Sequence, residues 1–191
     1  MINYWMNIFL VVLLSLSVYF DIIKRKISNR ITMPAILIGI IGSTVSSGLD
    51  GFLFSIFGFA FGLAVFLIPY ISGGVGAGDV KLMAAIGALM GWKFVLFSSL
   101  GTAIVGGVIA VIYMIYKSSL KNTMINALGL ILKPLAKWIF KVTGNKKSYK
   151  VMQYFEKNKM EMENEYIPYA VAIAIGTFGV LFGSMGGIFN I

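Results

Sequence analysis

Residues 80–116 form an almost unbroken apolar run, in which Lys81 and Lys93 are the only charged residues. A single membrane crossing needs roughly 20 apolar residues, so this run is far too long for one. Similar stretches fill much of the 191-residue chain, which is 59% hydrophobic and only 12% charged. The sequence therefore predicts an all-α membrane protein with a single transmembrane domain, residues 1–191.

Polar interruptions between the apolar stretches predict six transmembrane helices. The long run divides at Gly91-Trp92-Lys93, and although one helix or two would fit it by length, the distribution of basic residues requires two crossings. The six predicted spans lie at about residues 4–21, 31–47, 52–70, 79–91, 94–116 and 166–187.

Basic residues fall almost entirely on one side of the membrane in this topology. Four lie between residues 24 and 30, and residues 117–165 contain ten lysines. We predict that the chain lies in the cell (cytoplasmic) membrane. Because basic loops stay in the cytoplasm, both termini are predicted to lie on the outer side of this membrane. Membrane orientation and anionic lipids of the bilayer account for the formal charge of +9, so no nucleic-acid partner is predicted.

The loop at about 117–165 contains a second type of helix. Residues 119–143 place apolar side chains on one face and lysine and asparagine side chains on the other. This pattern predicts an interfacial amphipathic helix between the fifth and sixth spans. The apolar face includes Met124, Leu128, Leu132, Leu135, Trp138 and Ile139.

The absence of cysteine and histidine excludes many chemistries. The chain contains neither residue, which excludes disulfides, thiolate or imidazole metal sites, cysteine nucleophiles and a Ser-His-Asp triad. Any catalysis must depend on other side chains, and no metal or cofactor is predicted.

Carboxylates are the remaining candidates, and three precede position 156: Asp21, Asp50 and Asp79. Asp50 lies in a polar turn, where aspartate is common. Asp21 and Asp79 lie at the ends of apolar helices on the same predicted side of the membrane, where an ionisable residue is costly. Two carboxylates that share a site suggest an aspartyl hydrolase, in which one activates water and the other is protonated.

Structural alternatives exist for both residues. Asp21 could pair with Lys24 or Arg25 one turn later, although at a helix C-terminus it is expected to cap nothing. Asp79 could be the N-cap of the fourth helix. Because the helix dipole stabilises negative charge at an N-terminus, Asp79 is the candidate base, although Lys24 and Arg25 oppose this bias by stabilising ionised Asp21.

Two motifs around these aspartates resemble the prepilin peptidase family of GxGD-type membrane aspartyl proteases. One is Gly76-Ala77-Gly78-Asp79. The other is Asp21 followed by a basic stretch and Asn29, with Ser28 in place of the usual proline. Residues 166–176 also resemble the last helix of that family.

The resemblance implies a membrane aspartyl endopeptidase that cleaves the basic leader of prepilin-like or preflagellin-like membrane proteins at the cytoplasmic boundary. Asp21 and Asp79 would be catalytic, and Gly76 and Gly78 would bind the substrate backbone. Without cysteine, the chain is similar to short members that lack the methyltransferase region, such as those of tight-adherence pili or archaeal preflagellins. No cofactor and no particular oligomeric state are implied.

A different class of function fits the same aspartates. In a non-enzymatic transporter or assembly component, Asp21 and Asp79 would be ion or proton ligands within the membrane. This alternative predicts that Asp→Asn changes alter flux or assembly and that no substrate is shortened.

Overall fold

The computed structural model describes residues 4–71, 73–116 and 169–186, and every regular element in these ranges is an α-helix. The all-α prediction is confirmed for this part of the chain, whereas the predicted amphipathic helix at 119–143 lies outside it. The helices are α1 (Tyr4–Lys24), α2 (Asn29–Ile71), α3 (Ala77–Tyr116) and α4 (Tyr169–Met185).

Three of the described helices, α1, α2 and α3, are long and apolar enough to cross a membrane, while α4 is a shorter apolar helix. A straight helix of the length of α2 would extend about 65 Å, roughly twice the thickness of the hydrocarbon core. Both α2 and α3 are broken near the middle, which resolves this mismatch.

Helix α2 is a helical hairpin. Its backbone leaves the helical conformation at Ser47 and Gly48, and the φ of 60° at Gly48 is one that glycine adopts without steric cost. A Cβ added at Gly51 would overlap the main-chain carbonyl of Ser43, although in a straight helix these residues would be about 12 Å apart. The chain therefore turns back at the polar segment that the sequence predicted as a turn.

Helix α3 turns back in the same way at Gly91, where φ is 81°. A Cβ added at Gly87 would lie 3.1 Å from Cγ2 of Val95, eight positions further along the chain. This break coincides with the predicted division at Gly91-Trp92-Lys93. The two breaks divide the described helices into six segments, and the number of membrane crossings stays a prediction.

The first segment of α3 lies at the centre of the fold, since residues 82–90 are all buried. Glycines on both arms of the α2 hairpin contact its backbone. Added Cβ atoms at Gly39, Gly58 and Gly62 would meet main-chain atoms of Ala88, Gly87 and Met83, respectively. Small residues at these crossings let the helix backbones approach closely, which is a common basis of helix packing in membranes.

A buried hydrogen bond joins the second arm of α2 to the same segment. The Ser55 hydroxyl donates to the carbonyl oxygen of Ala88 at 2.7 Å. We expect Ser55→Ala to lower the free energy of unfolding by about 1 kcal/mol, measured as a lower thermal unfolding midpoint in detergent. Ser15→Ala is the control, because this exposed hydroxyl bonds only to Val11 of its own helix. An equal effect of both changes would contradict the prediction.

Candidate active site

The site lies in a compact unit that combines residues 1–108 with residues 168–191, and a second unit comprises residues 109–167. The single-domain prediction extends beyond the described ranges and stays a prediction. Three parts of the chain meet in the first unit. They are the connection between α1 and α2, the start of α3 and the start of α4.

Asp21 lies near the end of α1 and is only 3% exposed. Its carboxylate Oδ2 accepts a hydrogen bond from the main-chain N–H of Ala170, at 3.1 Å. Ala170 is the second residue of α4, where N–H groups have no partner within their own helix. The expectation that Asp21 caps nothing is therefore wrong, because Asp21 caps α4 from a distant part of the chain.

Asp79 is the third residue of α3 and is 7% exposed. Its Oδ2 accepts a hydrogen bond from the N–H of Gly76 at 3.0 Å, and the Gly76 carbonyl accepts one from the N–H of Asp79 at 3.1 Å. The bond to the Asp79 side chain is one half of a capping box, and the other half, a side chain at the N-cap position, is replaced here by the main-chain carbonyl of Gly76. Asp79 thus helps to begin α3, but from the first turn rather than as the N-cap that the structural alternative expected.

The two buried carboxylates interact electrostatically, so the structure brings Asp21 and Asp79 together. Each accepts a main-chain N–H at the beginning of a helix, Asp21 from α4 and Asp79 at α3. The choice of Asp79 as the base assumed that only Asp79 lies at a helix N-terminus. Because both carboxylates have this type of partner, helix position does not distinguish the base from the acid.

The connection between α1 and α2 lies directly on the beginning of α3. A Cβ added at Gly78 would be 2.9 Å from the Cβ of Ile27, and Ile27 is buried. The Lys81 ammonium donates a hydrogen bond of 2.8 Å to Oδ1 of Asn29. These contacts place the two aspartate-bearing motifs beside each other, and glycine at 78 permits the close approach.

Ser28 stands where the family motif usually has proline, and it directly precedes Asn29, the first residue of α2. Its hydroxyl oxygen accepts a hydrogen bond from the N–H of Arg30 at 3.3 Å, as expected of a serine N-cap. Just before it, α1 ends at Lys24, and Arg25 adopts a φ of 53°. The replacement of proline by serine therefore preserves a defined start of α2.

Gly76 and Gly78, the predicted substrate-binding residues, both have partners within the chain. The N–H of Gly76 donates to Asp79, and its carbonyl accepts from the same residue. Gly78 packs against Ile27. These contacts position Asp79, and a direct contact of either glycine with substrate stays a prediction.

Neither Tyr169 nor Ala170 is predicted from sequence to lie at the site. Tyr169, the first residue of α4, is partly buried, and its ring lies against Gly106 of α3. The local signals are Pro168, because proline is frequent where a helix begins, and the resemblance of residues 166–176 to the last helix of the family. These signals place the start of α4 in the sequence but not beside the aspartates.

This fold and site define a class of protein, an all-helical membrane protein with two buried carboxylates that interact. Residues 8–111 match the model of the type IV leader peptidase family, and the chain belongs to this family of peptidases. The prediction made from the two aspartate motifs is thereby confirmed. Comparison with curated proteins gave no match, and neither did comparison with solved structures.

Proposed function

We propose that this protein is a membrane-embedded aspartyl endopeptidase that removes the basic leader of type IV prepilin-like proteins. The observation that carries the proposal is the pairing of Asp21 and Asp79, which are buried and interact within a member of a leader peptidase family. The reaction needs no cofactor, since two carboxylates supply both the acid and the base of peptide hydrolysis.

In the proposed mechanism, the two carboxyl groups share one proton, because two like charges in a buried site repel each other. The ionised group takes a proton from a water molecule, which attacks the carbonyl carbon of the scissile peptide bond. The protonated group donates to the carbonyl oxygen. The group that took the proton from water then donates it to the nitrogen of the leaving peptide, and the C–N bond of the tetrahedral intermediate breaks. The other group takes back a proton from a hydroxyl of the intermediate, so both carboxyl groups return to their starting states.

The position of the aspartates fits a substrate cut next to a transmembrane helix. Asp21 lies at the end of one long apolar helix and Asp79 at the beginning of another. We place this end at the cytoplasmic face, because Lys24, Arg25 and Lys26 follow directly. In this topology, with six crossings and both termini outside, the carboxylates lie at the cytoplasmic face. The substrate's junction between its basic leader and its apolar helix lies at the same level of the membrane.

The experiment that tests the proposal is cleavage of a leader-bearing prepilin-like protein by the detergent-purified chain. We expect mass spectrometry to show one new product that lacks the leader. The family resemblance implies a glycine directly before the junction in the substrate, so a substrate with a bulky residue at that position is the control. If several leaders remain intact while Asp21→Asn or Asp79→Asn changes ion flux in proteoliposomes, the transporter alternative replaces the peptidase.

The contact between Gly78 and Ile27 gives a further prediction. We expect Gly78→Ala to lower kcat/KM by roughly 10- to 100-fold, because the added methyl group displaces the α1–α2 connection and separates the carboxylates. Gly74→Ala is the matched control, since a Cβ there would make an ordinary contact of 3.6 Å with the carbonyl oxygen of Pro69. Cleavage assays and thermal unfolding of both variants check this. Equal losses in both would contradict it.

A further inference from the structure

Two contacts join the short connection between α1 and α2 to the beginning of α3. Within the connection, the Ile27 side chain packs against Gly78. Directly after the connection, Oδ1 of Asn29 accepts a hydrogen bond of 2.8 Å from the Lys81 ammonium. Gly78 and Lys81 lie on either side of Asp79 in the chain. Both contacts therefore flank one of the two aspartates.

The other aspartate lies directly before the same connection. Asp21 is in the last turn of α1, and its main-chain carbonyl accepts a hydrogen bond of 2.9 Å from the N–H of Arg25, the first residue of the connection. The bond from Ala170 ties Asp21 to α4, whereas the bond from Lys81 ties the segment that follows Asp21 to α3. A shift of the connection along α3 would therefore change how the two aspartates lie relative to each other.

We propose that Lys81 and Asn29 are positioning residues of the peptidase site, whose hydrogen bond holds the segment after Asp21 against the helix that carries Asp79. This inference rests on the proposed function. Lys81 is half-buried and Asn29 is exposed, so their bond lies at the edge of the buried site. A hydrogen bond from a charged donor is stronger than one between neutral groups. Misplacing a catalytic group by about 1 Å can lower a rate by about 100-fold.

The bond is tested from both of its ends. Lys81→Met removes the ammonium group and retains an unbranched side chain, and Asn29→Ala removes the acceptor without a change in charge. We expect each change to lower kcat roughly 10-fold. KM should change less than about twofold, because the pair acts through the carboxylates rather than on the substrate. The variant with both changes should be about as slow as either single variant.

Lys93→Met is the matched control, because Lys93 is an exposed lysine of the same helix, and it should have wild-type kinetics. Circular dichroism verifies that each variant is folded. An unchanged kcat in Asn29→Ala would show that Lys81 does not act through this bond and would overturn the proposal. A rise in KM alone, or losses that add in the double variant, would overturn it as well.

A distance measurement that needs no cleavage separates this inference from the proposed function. Because the chain contains no cysteine, spin labels can be attached at Arg30→Cys and Ala77→Cys, two exposed positions near the starts of α2 and α3. Lys81→Met should broaden the distribution of distances between the labels, measured by electron paramagnetic resonance, and Lys93→Met should not. A distribution that Lys81→Met leaves unchanged overturns the inference even when the wild type cleaves. A broadened distribution in a chain that cleaves no leader supports the contact and rejects the peptidase.

Discussion

Replacing either Asp21 or Asp79 by asparagine is expected to lower kcat for leader cleavage by roughly 10²- to 10⁴-fold. The amide cannot take up or release a proton as a carboxyl group does. Its oxygen can still accept the hydrogen bond from the Ala170 or Gly76 N–H, so the helix starts are retained. Initial rates of product formation, with circular dichroism to verify folding, measure the effect.

Asp50→Asn is the matched control, because Asp50 is exposed in the α2 hairpin and has no proposed part in the reaction. The variant with both Asp21→Asn and Asp79→Asn should be about as slow as the slower single variant, since residues that act as a unit are not additive. Wild-type rates in either folded single variant would eliminate the carboxylate pair.

The second large effect is expected where α2 and α3 cross. Gly58 and Gly87 face each other so closely that a Cβ added at either would overlap the carbonyl oxygen of the other. We expect Gly58→Ala to lower the free energy of unfolding by about 3 kcal/mol or more, because the obstructing atoms belong to a buried backbone. The gain in helix propensity, about 1 kcal/mol, is too small to compensate.

Gly179→Ala in α4 is the control for this change, because a Cβ there would have no neighbour within 4 Å. It should be neutral or slightly stabilising. Unfolding midpoints of both variants, recorded in the same detergent, decide the matter. Equal midpoints for Gly58→Ala and Gly179→Ala would show that the helices separate at little cost and that the close crossing contributes little to stability.

Much of this fold could be predicted from sequence because its determinants are local. The apolar runs identify the helices, and Gly48 and Gly91 mark the reversals because a positive φ is easily adopted only by glycine. The cost of an ionisable residue at the end of an apolar helix likewise identifies Asp21 and Asp79. Most of these signals can be recognised within a short window of sequence, whereas the division at Gly91 also required the distribution of basic residues along the chain.

The missed features depend on contacts between residues far apart in sequence. Within α1 alone, Asp21 lies near the C-terminus and has nothing to cap. The actual partner is Ala170, which is 149 residues away. The position of Tyr169 was not predicted for the same reason, since Gly106, which its ring contacts, is far from it in the chain.

The bond between Asp21 and Ala170 has a consequence for biosynthesis. A ribosome that has released residues 1–116 into the bilayer has already made both aspartates, but not the N–H group that holds one of them. On the proposed function, the nascent peptidase is incomplete until α4 is inserted. The order of synthesis thus delays proteolytic competence until α4 has followed the segments that carry the two aspartates.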